Sequence, residues 1–80
     1  MKRVFIRINS IDKVKNFVSC TTMSELDLDL VSGRFLVDAK SIMGIFSLDL
    51  SRDIELCIHS DNVALVNEFL DKIKGFIVEK

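Results

Sequence analysis

The chain has 80 residues, room for one domain over residues 1–80 and one core, and a chain this short must pattern that core well to fold alone. Its 49% hydrophobic and 29% charged residues are a globular balance, which excludes a disordered chain. A net charge of −1, with every aromatic a phenylalanine and none beside a basic cluster, argues against a nucleic-acid binder, and no apolar run approaches the roughly 20 residues needed to cross a bilayer.

Val4, Ile6 and Ile8 alternate with Arg3, Phe5 and Arg7, the period of a half-buried strand. Met1 to Val4 start like a secretory leader, but Arg7 and Asn9 interrupt the apolar run, so a cytoplasmic protein is expected. Asn9-Ser10 supplies turn and N-cap chemistry. Ile11, Val14, Phe17, Val18 and Thr21 then recur at helical spacing, with Lys13, Lys15 and Asn16 opposite, which predicts a helix from Ile11 to Thr22. Leu26, Leu28 and Leu30 alternate with Asp27 and Asp29 as a second strand. Ser32-Gly33 is a turn signal, and Arg34 to Asp38 forms a hairpin partner.

Lys40-Ser41 precedes a short apolar stretch, Ile42 to Leu48, expected as a two-turn helix capped by Ser41. Ile54, Leu56 and Ile58 alternate with Glu55, Cys57 and His59 as a fourth strand. Ser60, Asp61 and Asn62 can each cap a last helix carrying Val66, Phe69, Leu70 and Ile73, which Gly75 weakens or ends. The order βαββαβα, with one wet sheet face, predicts an α+β open-faced sandwich of two layers. It has a four-stranded antiparallel sheet with the first and last helices on the same face. Val4, Ile6, Ile8, Val14, Phe17, Leu28, Leu56, Ile58, Phe69 and Ile73 are its expected core. A ferredoxin-like βαββαβ domain, such as an ACT-type ligand sensor, is the rival, and it needs a longer second helix.

Few residues offer chemistry. Cys20 and Cys57 have no CxxC spacing and read as two free thiols. His59 is the only histidine and is expected on the wet face beside Glu55 and Cys57. Cys57 and His59 supply two metal ligands at most, where a structural zinc takes four. Glu25, Asp27 and Asp29 lie along a strand without the enclosing loop that calcium prefers, and read as a solvated face. No metal and no cofactor is expected.

The stretch Ala39-Lys40-Ser41-Ile42-Met43-Gly44-Ile45-Phe46-Ser47-Leu48 resembles the regulatory-serine segment of HPr, the phosphocarrier of the bacterial phosphoenolpyruvate-dependent sugar phosphotransferase system. Every position from Ala39 to Gly44 fits that segment, Ser32-Gly33 fits the preceding hairpin, and Glu55 to Ser60 fits the fourth strand. HPr carries phosphate on a histidine at the start of its first helix, in the pattern Asn-Gly-Leu-His-x-Arg-Pro-Ala. This chain has Asn9-Ser10-Ile11-Asp12-Lys13-Val14-Lys15-Asn16 there. Asn9 and Ile11 echo the pattern, but the histidine's place falls on Asp12 or Ser10, and no arginine or proline follows. The imidazole nucleophile, the guanidinium clamp and the helix-starting proline are missing together.

The resemblance therefore implies a regulatory or adaptor member of that system, similar to HPr paralogues of Gram-positive bacteria that lack the histidine and keep the serine. It implies Ser41 as a phosphorylation site for the HPr kinase/phosphorylase, and Lys40, Ile42, Met43 and Phe46 as the partner-binding patch. A transcriptional regulator of carbon catabolism is the second implied partner. Independently of any modification, Ser41 as an N-cap contributes about 1 kcal/mol. The alternative is an HPr-derived binding module outside that system, with an unknown protein or small-molecule partner. An enzyme built on Cys57 or Asp12 has the fewest residues behind it, and none is expected.

Overall fold

The computed structural model describes residues 1–79, and the last residue of the expected domain, Lys80, lies outside the described residues. The elements are β1 (Lys2–Ile6), α1 (Ile11–Thr22), β2 (Asp27–Ser32), β3 (Phe35–Asp38), α2 (Ile42–Phe46), β4 (Ile54–His59), α3 (Val63–Lys72), a 3-10 turn over Lys74–Phe76 and β5 (Ile77–Val78). The strands form one sheet in the order β3-β2-β4-β1-β5, and every pairing is antiparallel. Gly33, at φ +60, makes the tight turn between β2 and β3, a conformation that costs a glycine little.

One face of the sheet is covered. Ile6, Leu28, Leu30, Ile54, Leu56 and Ile58 project from it at alternate positions into a single core. Val14 and Phe17 of α1 and Val66 and Phe69 of α3 close that core from above, joined by Ile45, Leu48 and Ile73. Phe76 packs edge-on against Phe17, with ring centroids 5.7 Å apart. The other face presents Arg3, Phe5, Glu55 and His59 outward. This is the expected two-layer open-faced sandwich.

Four expectations change. The sheet has five strands rather than four, because the 3-10 turn around Gly75 reverses the chain and lays Ile77 and Val78 against Ile6 and Phe5. Val4 is half-buried rather than buried. It stands on the covered side, but β5 ends opposite Phe5, so among the described residues nothing pairs beyond it at that edge. The second helix ends at Phe46 rather than Leu48, where the Ser47 backbone N–H turns back onto the carbonyls of Gly44 and Ile45. Cys57 is buried, although it lies on the outer face. It sits at the centre of β4, the middle strand of the sheet, between Arg3 of β1 and Asp29 of β2, with the Glu55 carboxylate beside it. Ile8 lies beyond the end of β1 and is nonetheless fully buried.

Candidate functional site

The segment from Ala39 to Gly44 is held by hydrogen bonds on every side. Asp38 starts it: its carboxylate accepts from the Lys40 backbone N–H at 2.8 Å, and its carbonyl accepts from the Ser41 N–H at 3.0 Å. This side-chain-to-backbone turn swings the chain out of β3 and into α2. Ala39 is fully buried, and its carbonyl accepts from the Thr21 hydroxyl at 2.8 Å. Thr21 lies in the apolar stripe of α1, so that bond fastens α1 to the start of the segment. The Lys40 ammonium reaches back to the Ser24 carbonyl at 2.9 Å and is part-buried there.

Ser41 caps α2. Its Oγ accepts from the Gly44 N–H at 3.2 Å, one of the two bonds that its position in the sequence allows, and its carbonyl accepts from the Ile45 N–H at 3.0 Å. The N–H groups of Ile42 and Met43 open the helix ahead of any intrahelical acceptor. Gly44 sits at a close approach of α2 to β3. A Cβ there would come 3.3 Å from both Ser41 Oγ and Val37 Cβ, so a side chain would crowd the cap and make those neighbours give by a few tenths of an ångström.

The side chains around Ser41 divide between core and surface. Ile45 is fully buried and Ile42 is half-buried against the core. Ser41 itself is exposed, Met43 is 79% exposed and Phe46 is 41% exposed. Of the four partner-binding residues expected from the sequence, Met43 and Phe46 therefore face solvent. Ile42 presents part of its surface, and Lys40, half-buried, gives one N–H of its ammonium to the Ser24 carbonyl. The hydroxyl of Thr21 and the bond from Lys40 to Ser24 have no period or motif to mark them. The one available signal was a polar residue inside an apolar helical stripe, which must find a partner when buried.

The start of α1 is a plain helix cap. Ser10 Oγ accepts from the Lys13 N–H at 3.2 Å, and Lys13 Nζ donates to Asn9 Oδ1 at 3.1 Å. Asp12 is exposed in the first turn, where a carboxylate suits the helix dipole. Ile11, placed on the apolar face by its spacing, is 62% exposed. His59 is remote from here. It lies on the outer sheet face, at the end of β4 away from the Ile54 that pairs with Ile6, and its Nε2 is 2.7 Å from Asp29 Oδ2.

Cys57 donates weakly to Glu55 Oε1 at 3.7 Å, and Glu55 also faces Arg3 at 3.8 Å. Burial, with the Glu55 charge beside it, pushes the Cys57 thiol above the ordinary thiol range, so it is held as the neutral form. Among the described residues, no group of three or more His, Cys, Asp or Glu side chains is arranged to hold a metal. No helix among them is long and apolar enough to cross a membrane.

No family model matches the chain, and no curated protein matches it. Among solved structures, the chain is similar to the crystal structure of HPr-C-His from Thermoanaerobacter tengcongensis. The TM-score is 0.73 and the identity 26%, over 94% of this chain and 93% of that one. The fold is therefore that of HPr, which is the architecture of a phosphocarrier and not of a catalytic enzyme.

Proposed function

We propose that this chain is a cytoplasmic, HPr-like regulator or adaptor of the bacterial phosphoenolpyruvate-dependent sugar phosphotransferase system, catalysing no reaction of its own. In this reading Ser41, not a histidine, takes the phosphate. The observation that carries it is the placement of Ser41: an exposed hydroxyl at the start of α2, on an HPr fold, beside the exposed Met43 and Phe46. The Ile42 and Met43 N–H groups give a phosphoryl group there hydrogen-bond donors without unfolding the turn. Asp38, Lys40 and Thr21 hold the segment on the body of the protein, so a kinase meets a preformed surface. HPr kinase/phosphorylase and a regulator of carbon catabolism are the partners this reading assigns.

The carrier role is set aside on the residues at the start of α1. A phosphohistidine needs an imidazole there, and the chain offers the capping hydroxyl of Ser10 and the carboxylate of Asp12. Docking is tested by truncating the exposed patch. Met43→Ala and Phe46→Ala, each confirmed folded by circular dichroism, should lower kcat/KM for the kinase, mainly through KM. Unchanged kinase kinetics in both variants would remove the patch from the proposal.

A further inference from the structure

The sheet order leaves β3 on an open edge. Ser32 and Phe35 flank the two-residue turn and exchange backbone hydrogen bonds, as do Leu30 and Val37 two positions on. The Ala39 N–H continues that rhythm by donating to the Leu28 carbonyl at 2.9 Å. Alternation then turns the N–H and C=O of Leu36 away from β2, out along the edge. The edge carries two large apolar side chains, Phe35 at 63% and Leu36 at 67% exposure. It has no proline, lysine or bulge of the kind that blunts a free edge. The opposite edge, β5, is only two residues long.

The charges on and just before this strand identify what can pair with it. Arg34-Phe35-Leu36-Val37-Asp38 read antiparallel against itself about Leu36 sets Leu36 opposite Leu36 and Phe35 opposite Val37. Arg34 falls opposite Asp38 at both ends. Leu36 and Asp38 are alternate positions of β3 and share its outer face, and Arg34 stands in the turn just before the strand, so the two ion pairs flank the central leucines. A parallel arrangement would set arginine beside arginine and aspartate beside aspartate. We propose that β3 is a self-docking edge, on which a second copy of this chain pairs antiparallel about Leu36 and continues the sheet across a two-fold axis. The contact is short, so the dimer is a weak, concentration-dependent one. The proposal does not depend on the phosphotransferase reading.

Sedimentation equilibrium from micromolar to millimolar protein, with amide exchange followed by NMR, tests it. The expected result is a monomer–dimer equilibrium in which the Leu36 amide gains protection as concentration rises. Leu36→Lys should leave a monomer throughout. Arg34→Asp and Asp38→Arg should each weaken self-association by about tenfold or more, since like charges then face each other. Mixing the two variants should restore it, because each supplies the charges the other needs. Asp38 also caps the Lys40 N–H, so if Asp38→Arg fails to fold by circular dichroism, the weakening by Arg34→Asp decides. A monomer at millimolar concentration, a dimer whose Leu36 amide stays unprotected, or an unweakened Arg34→Asp dimer would overturn the proposal.

Discussion

The bond from Thr21 to Ala39 is the most informative single contact to break, because it is fully buried and ties α1 to the segment that carries Ser41. Thr21→Val keeps the shape of the side chain and removes the donor. The Ala39 carbonyl is then left in a residue with no exposed surface, so water cannot replace the hydroxyl. A buried acceptor stripped of its partner costs about 1–3 kcal/mol. The methyl that replaces the hydroxyl recovers up to about 0.8 kcal/mol of apolar burial. The net expectation is a loss of about 0.2–2.2 kcal/mol, or a Tm lower by about 1–18 °C for a domain of this size. Urea unfolding followed by circular dichroism should show a lower midpoint with an unchanged slope, since the surface exposed on unfolding is nearly the same. Thr21→Ser keeps the donor and loses only a methyl, so it should cost about 1 kcal/mol. A Thr21→Val protein as stable as the wild type would refute the reasoning, because the Ala39 carbonyl would then not depend on this donor.

Ser41→Ala should lower stability by about 1 kcal/mol through the lost cap, and Ser41→Asp should recover most of that, both read by urea unfolding. Gly44→Ala should destabilise despite the better helix propensity of alanine, by about 1 kcal/mol, because Val37 Cβ is fixed on a strand and cannot move aside; a rise in Tm would contradict this. The raised Cys57 ionisation favours the folded state below the ordinary thiol pKa. That contribution is lost as pH rises through the folded value, so stability should fall on the alkaline side in the wild type and less so in Cys57→Ala. At neutral pH an alkylating reagent should modify the half-buried Cys20 well before Cys57, as peptide mass spectrometry would show. Incubation with phosphoenolpyruvate and the first enzyme of the sugar system should leave the protein unmodified; an acid-labile phosphate on His59 would contradict that.

The sequence revealed the regular parts of this fold for a physical reason: each element buries one face, and burying one face imposes a period. The bounds of α1 and β4 follow from Val14, Phe17 and Thr21 and from Ile54, Leu56 and Ile58. The Ser41 cap was equally readable, since a serine before a short apolar stretch has few other bonds to make. What escaped has no period. Two residues, Ile77 and Val78, cannot show alternation, so β5 was invisible. Cys57 looked exposed by parity, but parity ignores that β4 is the central strand and that Arg3 and Asp29 flank it. The last candidate strand residue before α1, Ile8, is buried without belonging to a ladder. Nothing along the chain marks the Ser24 carbonyl as an acceptor for Lys40; that contact spans sixteen positions and exists only once the hairpin folds onto α1.

The central claim is that Ser41 is the modified residue, and one reaction tests it directly. The wild type and Ser41→Ala, both verified as folded, are incubated with purified HPr kinase/phosphorylase and ATP, and the phosphopeptides are mapped by mass spectrometry. A single acid-stable phosphate on Ser41 in the wild type, and none in Ser41→Ala, is the result this account predicts. No phosphate on the wild type, or equal phosphorylation of the two proteins, would contradict it.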